Sequence, residues 1–328
     1  MASSGGNIIS ISRRTDIPAF YSRWLMNRIR AGYCHVLHPF AGTLNRVSLS
    51  PEDCAALVFW TRNPRPMIRH LPVLDRMGYR YYFHVTLNGY PPTVESHNPP
   101  LASALDAVLR LAECVGPERI IWRYDPILTA DELSPTYHLQ QFDTLSSRLE
   151  GATRRCYISF VAPYAKTLRN LHRVEREAGM HFRTLPTEGQ RSLAKQLSSL
   201  ASVHSMRLYA CCNDHLVGDG VLKGECVGRE MIRLINPQVG NRLVLAPTRP
   251  QCGCVRSIDI GAYDTCVFGC AYCYATNSRQ AALRRLHAHD PSDTLLFRPA
   301  SLRGVDLSTR EEAADHPLSF DTSAGACV

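Results

Sequence analysis

The chain has 328 residues, 45% of them hydrophobic and 20% charged, with a formal net charge of +8. That composition can bury a sizeable core, and it excludes a disordered regulator, a coiled coil and a collagen-like fibre. No run approaches the roughly 18 apolar residues of a spanning helix, and the N-terminal MASSGGNIIS lacks the regions of a secretory signal; the expectation is a cytoplasmic protein with no membrane segment.

Short β-rich runs alternate with amphipathic stretches. Residues 8–12 read as a strand and 22–31 as a helix, followed by a short helix at 51–55 and a strand at 56–60. Helix 66–77, strand 79–87, helix 101–114, strand 119–124 and helix 133–149 come next. Strand 154–160, helices 164–178 and 186–201, and strand 205–211 complete the first part. Strand, helix, strand at this spacing implies βαβ crossovers and a parallel sheet. Six such units favour an α/β fold, a partial (β/α)6–7 TIM-type barrel, over a sandwich. Residues 212–250 read as irregular apart from a short helix at 228–234, after which 255–260 reads as a strand and 277–287 as a helix. Beyond His289 the chain turns polar and periodless, which predicts a loosely packed tail. The resulting division is barrel 1–210, cysteine-rich insert 211–254, completing strand-loop-helix 255–290 and tail 291–328.

The basic residues are nearly all arginine: only Lys166, Lys195 and Lys223 are lysine, leaving thirty-four arginines. Arginine grips carboxylates and phosphates bidentately. The charges are scattered, however, and a nucleic-acid partner needs a patch or stripe, so nucleic acid is not expected. Several apolar runs end in polar groups: Arg13, Arg14 and Asp16; Thr61, Arg62 and Asn63; Thr86 and Asn88; Arg123 and Asp125. The carboxyl ends of parallel strands carry the active sites of such folds, so these residues suggest one polar mouth open to a small-molecule substrate. His35 and His38 read as surface or packing histidines, and at least one of Tyr79, Tyr81 and Tyr82 reads as core.

Thirteen cysteines stand out in a long chain without a secretory signal. Cys34, Cys54, Cys114 and Cys156 sit amid apolar runs and read as small buried hydrophobes. Eight others fall between Cys211 and Cys273, and metal is the default reading of such clustering. In CVFGCAYC, Cys266, Cys270 and Cys273 can face one iron–sulfur cluster from a single loop, leaving one iron open. Zinc ribbons use two CxxC pairs, whereas this set of three stands alone. Cys252 and Cys254 flank a glycine and, with Cys226 and Cys211 (or Cys212), can form a second site holding structural zinc or a second [4Fe–4S] cluster. Tyr263 and Asp264, in the loop approaching Cys266, are placed to hydrogen-bond sulfur.

This segment resembles the CxxxCxφC signature of the radical S-adenosylmethionine (SAM) superfamily, with Tyr272 at the aromatic position. The resemblance implies a [4Fe–4S] cluster whose open iron chelates SAM, with Tyr272 against the adenine, and an electron donor of flavodoxin or ferredoxin type. In that superfamily the signature follows the first barrel strand, so its place near this C-terminus implies a permuted barrel. The strand at 8–12 would then follow the cluster unit, placing Arg13, Arg14 and Asp16 where the polar end of SAM is held. Arg123 and Asp125 are further candidates for SAM binding.

Nearly the whole chain, about residues 7–290, is also similar to an uncharacterised bacterial domain family, through the segments at 8–21, 58–64, 122–127 and 252–275. Proteins similar to that family include an enzyme proposed to place a 3-amino-3-carboxypropyl group on trivalent arsenic in arsinothricin biosynthesis. The resemblance thus implies such a transferase, to which a spare thiol such as Cys212 would suit arsenic. Alternatives are a 5′-deoxyadenosyl-radical enzyme on another substrate, a DNA lesion included, and a non-enzymatic zinc or nucleic-acid binding protein.

Overall fold

The computed structural model describes residues 6–39, 41–239 and 243–307. Its centre is a sheet of eight strands: β1 (Asn7–Ile11), β2 (Cys54–Thr61), β3 (Tyr81–Thr86), β4 (Ile120–Ile127), β5 (Arg155–Phe160), β6 (Arg207–Cys211), β7 (Val221–Gly224) and β8 (Ile258–Asp259). They lie in the order β7-β6-β5-β4-β3-β2-β1-β8, and every neighbouring pair is parallel. The fold is therefore mixed α/β on a large parallel sheet. The last strand in sequence sits beside the first, with Ile9 opposite Ile258 and Ser10 opposite Asp259.

A parallel sheet is buried on both faces, which explains near-continuous apolar strands such as CAALVFWT in β2. On one face Ile9, Leu57, Phe59, Phe83, Trp122 and Ile158 pack under four helices: α1 (Ser22–Ala31), α2 (Leu101–Val115), α3 (Pro135–Arg148) and, C-terminal to α4 (Ala165–Ala178), α5 (Thr187–Val203). On the other face Ile8, Val58, Tyr82, Ile121, Tyr157 and Tyr209 are capped by Met231 and Ile232 of α6 (Arg229–Ile235). Side chains alternate along a strand. Continuing the second set toward the carboxyl ends therefore puts Ser10, Trp60, His84, Arg123, Ser159 and Cys211 on that same face. This alternation builds the site described below. Helix α7 (Arg279–His287) follows the loop after β8.

One buried residue makes the core pH-sensitive. His138 of α3 donates from Nε2 to the Leu128 carbonyl (2.7 Å) and accepts at Nδ1 from the Tyr124 hydroxyl (2.8 Å). Burial, partly offset by the Leu128 bond, brings it down from 6.5 to about 4. A depressed histidine makes the unfolded chain take protons first, so stability falls as pH drops from the ordinary value toward the folded one. Between about pH 7.5 and about pH 5 this amounts to about 2 kcal/mol. Urea titrations at both pH values should show that much more loss for the native chain than for His138→Gln.

Several expectations need correction. Residues 51–55 are not a helix: a single 3-10 turn spans Pro51–Asp53, and Cys54 already opens β2. The 66–77 helix is two, Arg65–Ile68 and Leu71–Arg76, because Pro72 lies in the first turn of the second and cannot continue the first. The supposedly irregular 212–250 contains β7, which extends the sheet beside β6. Only Ile258–Asp259 of the 255–260 strand joins the sheet; Val255 bridges Leu245 instead. A hairpin of Tyr33–Leu37 with Leu44–Ser48 escaped the sequence reading.

Residues 290–307 are docked rather than loose. Trp24 Nε1 donates to Asp293 O (2.9 Å), His35 N to Thr294 O (2.9 Å), and Leu295 and Leu296 are buried. Residues 308–328 of that tail lie outside the described residues. Cys34, Cys54 and Cys156 are buried as expected, but Cys114, on the outer side of α2, is exposed. Tyr79, Tyr81 and Tyr82 are all buried, as is His35. No helix among the described residues is long and apolar enough to cross a membrane.

Candidate functional site

A cavity of about 270 Å³ opens at the carboxyl ends of the strands. It is lined by Arg13, Arg14, Asp16, Arg123, Asp125 and Tyr272, by Cys266, Cys270 and Cys273, and by Cys211, Cys212, Cys226, Cys252 and Cys254; Tyr263 and Asp264 lie outside it. Two cysteine sets therefore share one chamber.

The junction of β1 and β8 sets the position of the first set. Asp259 accepts from Ser12 Oγ (2.5 Å), Ser10 Oγ (3.1 Å), the Arg13 amide (2.8 Å) and the Gly261 amide (3.0 Å). Arg14 lies beside it, Nε 3.8 Å from the carboxylate, and donates to the Gly261 carbonyl (3.4 Å). The backbones approach so closely that a Cβ on Gly261 would sit 2.0 Å from Ser12 Oγ. Arg14 thus ties β8 and its loop to β1.

The three-cysteine loop is stitched to its surroundings along its length. Ala271 N donates to Val94 O (2.9 Å), Ser96 Oγ to Gly269 O (3.3 Å), and Arg279 Nε to Val267 O (3.1 Å). Gly269 has φ +74°, and a Cβ there would meet Ser96 Oγ at 2.9 Å, so only glycine fits before Cys270. Asp264 does not reach sulfur: it closes the loop's base, with the Asn277 side chain donating to it (2.9 Å). Backbone amides do reach sulfur, Ala275 N to Cys273 Sγ (3.3 Å) and Phe268 N to Cys266.

Burial pushes the Cys270 thiol up to about 12 and the Cys266 thiol well above its ordinary value. Arg62 opposes this at Cys270. Tyr272 turns its hydroxyl into a buried network, donating to Glu95 and accepting from Arg62 and from Asn88 Nδ2 (3.1 Å). Arg62 also pairs with Glu95 at 2.9 Å. Asp16 caps the short helix Ile17–Phe20 and accepts from Thr61 Oγ1 (2.8 Å) and Arg62 N (2.6 Å). Burial raises its carboxyl to about 6.

The second set forms a closed chain of sulfurs. Cys211 Sγ lies 2.8 Å from Cys226 Sγ and 4.0 Å from Cys212 Sγ. Cys254 contacts both Cys226 and Cys252, and Cys252 contacts Cys212. Arg123 donates to Cys226 Sγ (3.1 Å) while pairing with Asp125 (2.5 Å). The Cys226 carbonyl accepts from Tyr82 (2.8 Å) and His84 Nε2 (2.7 Å), whose burial lowers it to about 3 and keeps it neutral. Trp60 stacks on His84 at 4.1 Å, with the Arg13 and Arg123 guanidinia over its ring at 5.3 and 5.4 Å.

Among the described residues, no three Cys, His, Asp or Glu side chains close tightly enough to hold one metal ion. The thiols line the chamber instead of meeting at a point.

Residues 8–275 match a family described as a domain of unknown function, DUF1848. The chain belongs to it. No curated protein matches. Among solved structures, deoxyribose phosphate aldolase from Aeropyrum pernix is 15% identical at a TM-score of 0.27, over 74% of this chain and 92% of that one. A putative α-L-fucosidase from Bacteroides thetaiotaomicron is 8% identical at 0.26, over 73% and 85%. Dihydropyrimidinase from Brevibacillus agri is 14% identical at 0.27, over 69% and 54%. TM-scores this low leave nothing to draw about fold or activity.

This DUF1848 chain also uses residues that its sequence did not single out. Arg62 stood only as one of several polar strand ends, and Trp60 merely as apolar. Glu95 and Asp259 carried no local signal, because the partners that bring them into the site, Tyr272 and Ser10, lie 177 and 249 residues away.

Proposed function

We propose that this protein is a radical SAM enzyme built on a permuted (β/α) barrel, with Cys266, Cys270 and Cys273 as ligands to a [4Fe–4S] cluster. One observation carries this reading: the three-cysteine loop follows a strand set parallel beside β1 and opens on the cavity at the carboxyl ends of the sheet. When bound and reduced, such a cluster supplies the electron that cleaves a sulfonium C–S bond of SAM. The donor set fits. Three half-buried thiols face one chamber; the amides of Phe268 and Ala275 donate to two of them, Cys266 and Cys273, and the Arg62 guanidinium acts on the third, Cys270.

The remaining residues bind and orient. Arg62, Glu95 and Asn88 fix the Tyr272 ring, and Asp16 fixes the backbone of Arg62. Cys211, Cys226, Cys252 and Cys254 would hold a second [4Fe–4S] cluster or zinc, with Cys212 to spare. The substrate on this reading is a small molecule, and trivalent arsenic receiving a 3-amino-3-carboxypropyl group is its specific form. The electron would come from a flavodoxin- or ferredoxin-type donor.

The test is anaerobic reconstitution with iron and sulfide, reduction with dithionite in the presence of SAM, and mass spectrometry of the nucleoside product. Methylthioadenosine, enhanced by arsenite, is the expected result. 5′-Deoxyadenosine would keep the radical SAM reading and replace the transfer chemistry. A colourless zinc protein yielding neither would overturn both.

A further inference from the structure

Glu95 and Cys270 face each other across an isolated antiparallel bridge, and Ala271 N donates to Val94 O (2.9 Å) beside it. Glu95 is buried in that seam, and Arg62 Nη1 closes on its carboxylate at 2.9 Å. The guanidinium also donates to the Tyr272 hydroxyl and lies over that ring, 5.4 Å from its centroid. Asp16 accepts from the Arg62 amide (2.6 Å), so Arg62 is held at its backbone and at its tip. A positive and a negative group are thus clamped beside one cysteine. They act on its thiol with opposite signs, Arg62 favouring the Cys270 thiolate and Glu95 opposing it, and Arg62 acts on Cys266 as well. Other arginines of the cavity serve the other set: Arg13 and Arg123 act on Cys226, and Arg249 acts on Cys212.

We infer that Arg62 and Glu95 are a charge pair that sets the reduction potential of the iron–sulfur cluster at Cys266, Cys270 and Cys273, Arg62 raising it and Glu95 lowering it. This rests on the proposed function, which places that cluster there. One-electron reduction adds one negative charge to a cluster, and its potential follows net charge, hydrogen bonds to sulfur and exposure. In a poorly solvated site a nearby guanidinium stabilises the added charge and a nearby carboxylate opposes it. Loss of one member leaves the other uncompensated, whereas loss of both removes two opposing effects together.

The test is a redox titration of the full-length chain, reconstituted anaerobically with iron and sulfide and reduced in steps with dithionite, without SAM. Electron paramagnetic resonance follows the reduced clusters. The signal missing from the triple-alanine variant of Cys266, Cys270 and Cys273 is that of the first set. Arg62→Gln is expected to move its midpoint to a more negative potential and Glu95→Gln to a more positive one. The double variant should fall between the two. Arg62→Lys keeps the charge but not the fork, so its midpoint should lie closer to the native value than that of Arg62→Gln. A signal that survives in the triple-alanine variant belongs to the second set and should shift less. If Arg62→Gln does not fold, Arg62→Lys and Glu95→Gln carry the test, with the positive shift of the latter expected. A merely structural role would cost iron without moving the two midpoints in opposite directions. Unmoved midpoints, or shifts of one sign, therefore overturn the pair while leaving the cluster in place. A native chain with no such signal overturns the cluster reading, and the pair with it.

Discussion

Asp259→Ala is expected to destabilise the protein by about 3–5 kcal/mol, as removing one partner from a buried charged network does. β8 is only two residues long, so its backbone ladder alone cannot hold it to β1. The attachment runs through one carboxylate, which binds two hydroxyls and two amides and lies beside Arg14. Alanine would leave the Arg13 and Gly261 amides and the Ser10 hydroxyl facing a void, each at a desolvation cost. Asp259→Asn keeps an acceptor and should cost roughly half as much. Urea unfolding of both variants, with limited trypsin digestion, checks this: the alanine variant should be nicked between β7 and α7 before it unfolds globally. A change of under about 1 kcal/mol would mean that the loop, not the carboxylate, anchors β8.

That junction shows what the sequence could and could not reveal. The strands of the sheet are legible because buried parallel strands are apolar throughout, and β2 to β6 stand where the runs in the sequence place them. β7 is not, because VLKG is short, glycine-ended and exposed at Leu222 and Lys223. Its pairing with β6 supplies what its composition lacks. The hairpin at Tyr33–Leu37 was hidden likewise, its partner strand LNRVS being mostly polar.

For the site, the alternation of side chains makes strand-end residues share one chamber, so Arg123, Asp125 and the cysteines could be gathered from the sequence alone. The division of labour could not. Arg14 and Asp16 line the chamber, and their further contacts, Arg14 at the β1–β8 junction and Asp16 on the backbone of Arg62, are tertiary. Glu95 reaches Tyr272 across 177 residues of sequence, through a loop whose only local features are prolines and a histidine. Such partnerships are tertiary, set where β3's trailing loop meets the cysteine loop at Glu95 and Cys270.

Replacing Cys266, Cys270 and Cys273 together by alanine is expected to abolish SAM cleavage while leaving metal at the second set. The two sets are held by different parts of the chain. The first hangs from β8 and is stitched to residues 94–96 and to Arg279. The second hangs from the ends of β6 and β7 and from the segment before β8, with the Val227 amide donating to Cys254 Sγ (3.3 Å) and the Cys226 carbonyl anchored by Tyr82 and His84. Neither set of hydrogen bonds includes a residue of the other, so loss of one should not unfold the other. The reciprocal variant, with Cys211, Cys226, Cys252 and Cys254 changed to alanine, should keep iron at the first set. It should also be markedly less stable, because a bound metal adds its binding free energy to the fold. Iron and zinc analysis with visible absorption, on both variants and the native chain, checks this directly. Roughly additive metal losses are expected. If either variant loses all its metal while remaining folded by circular dichroism, the eight thiols belong to one shared centre, and the division into a SAM-cleaving set and a second site fails.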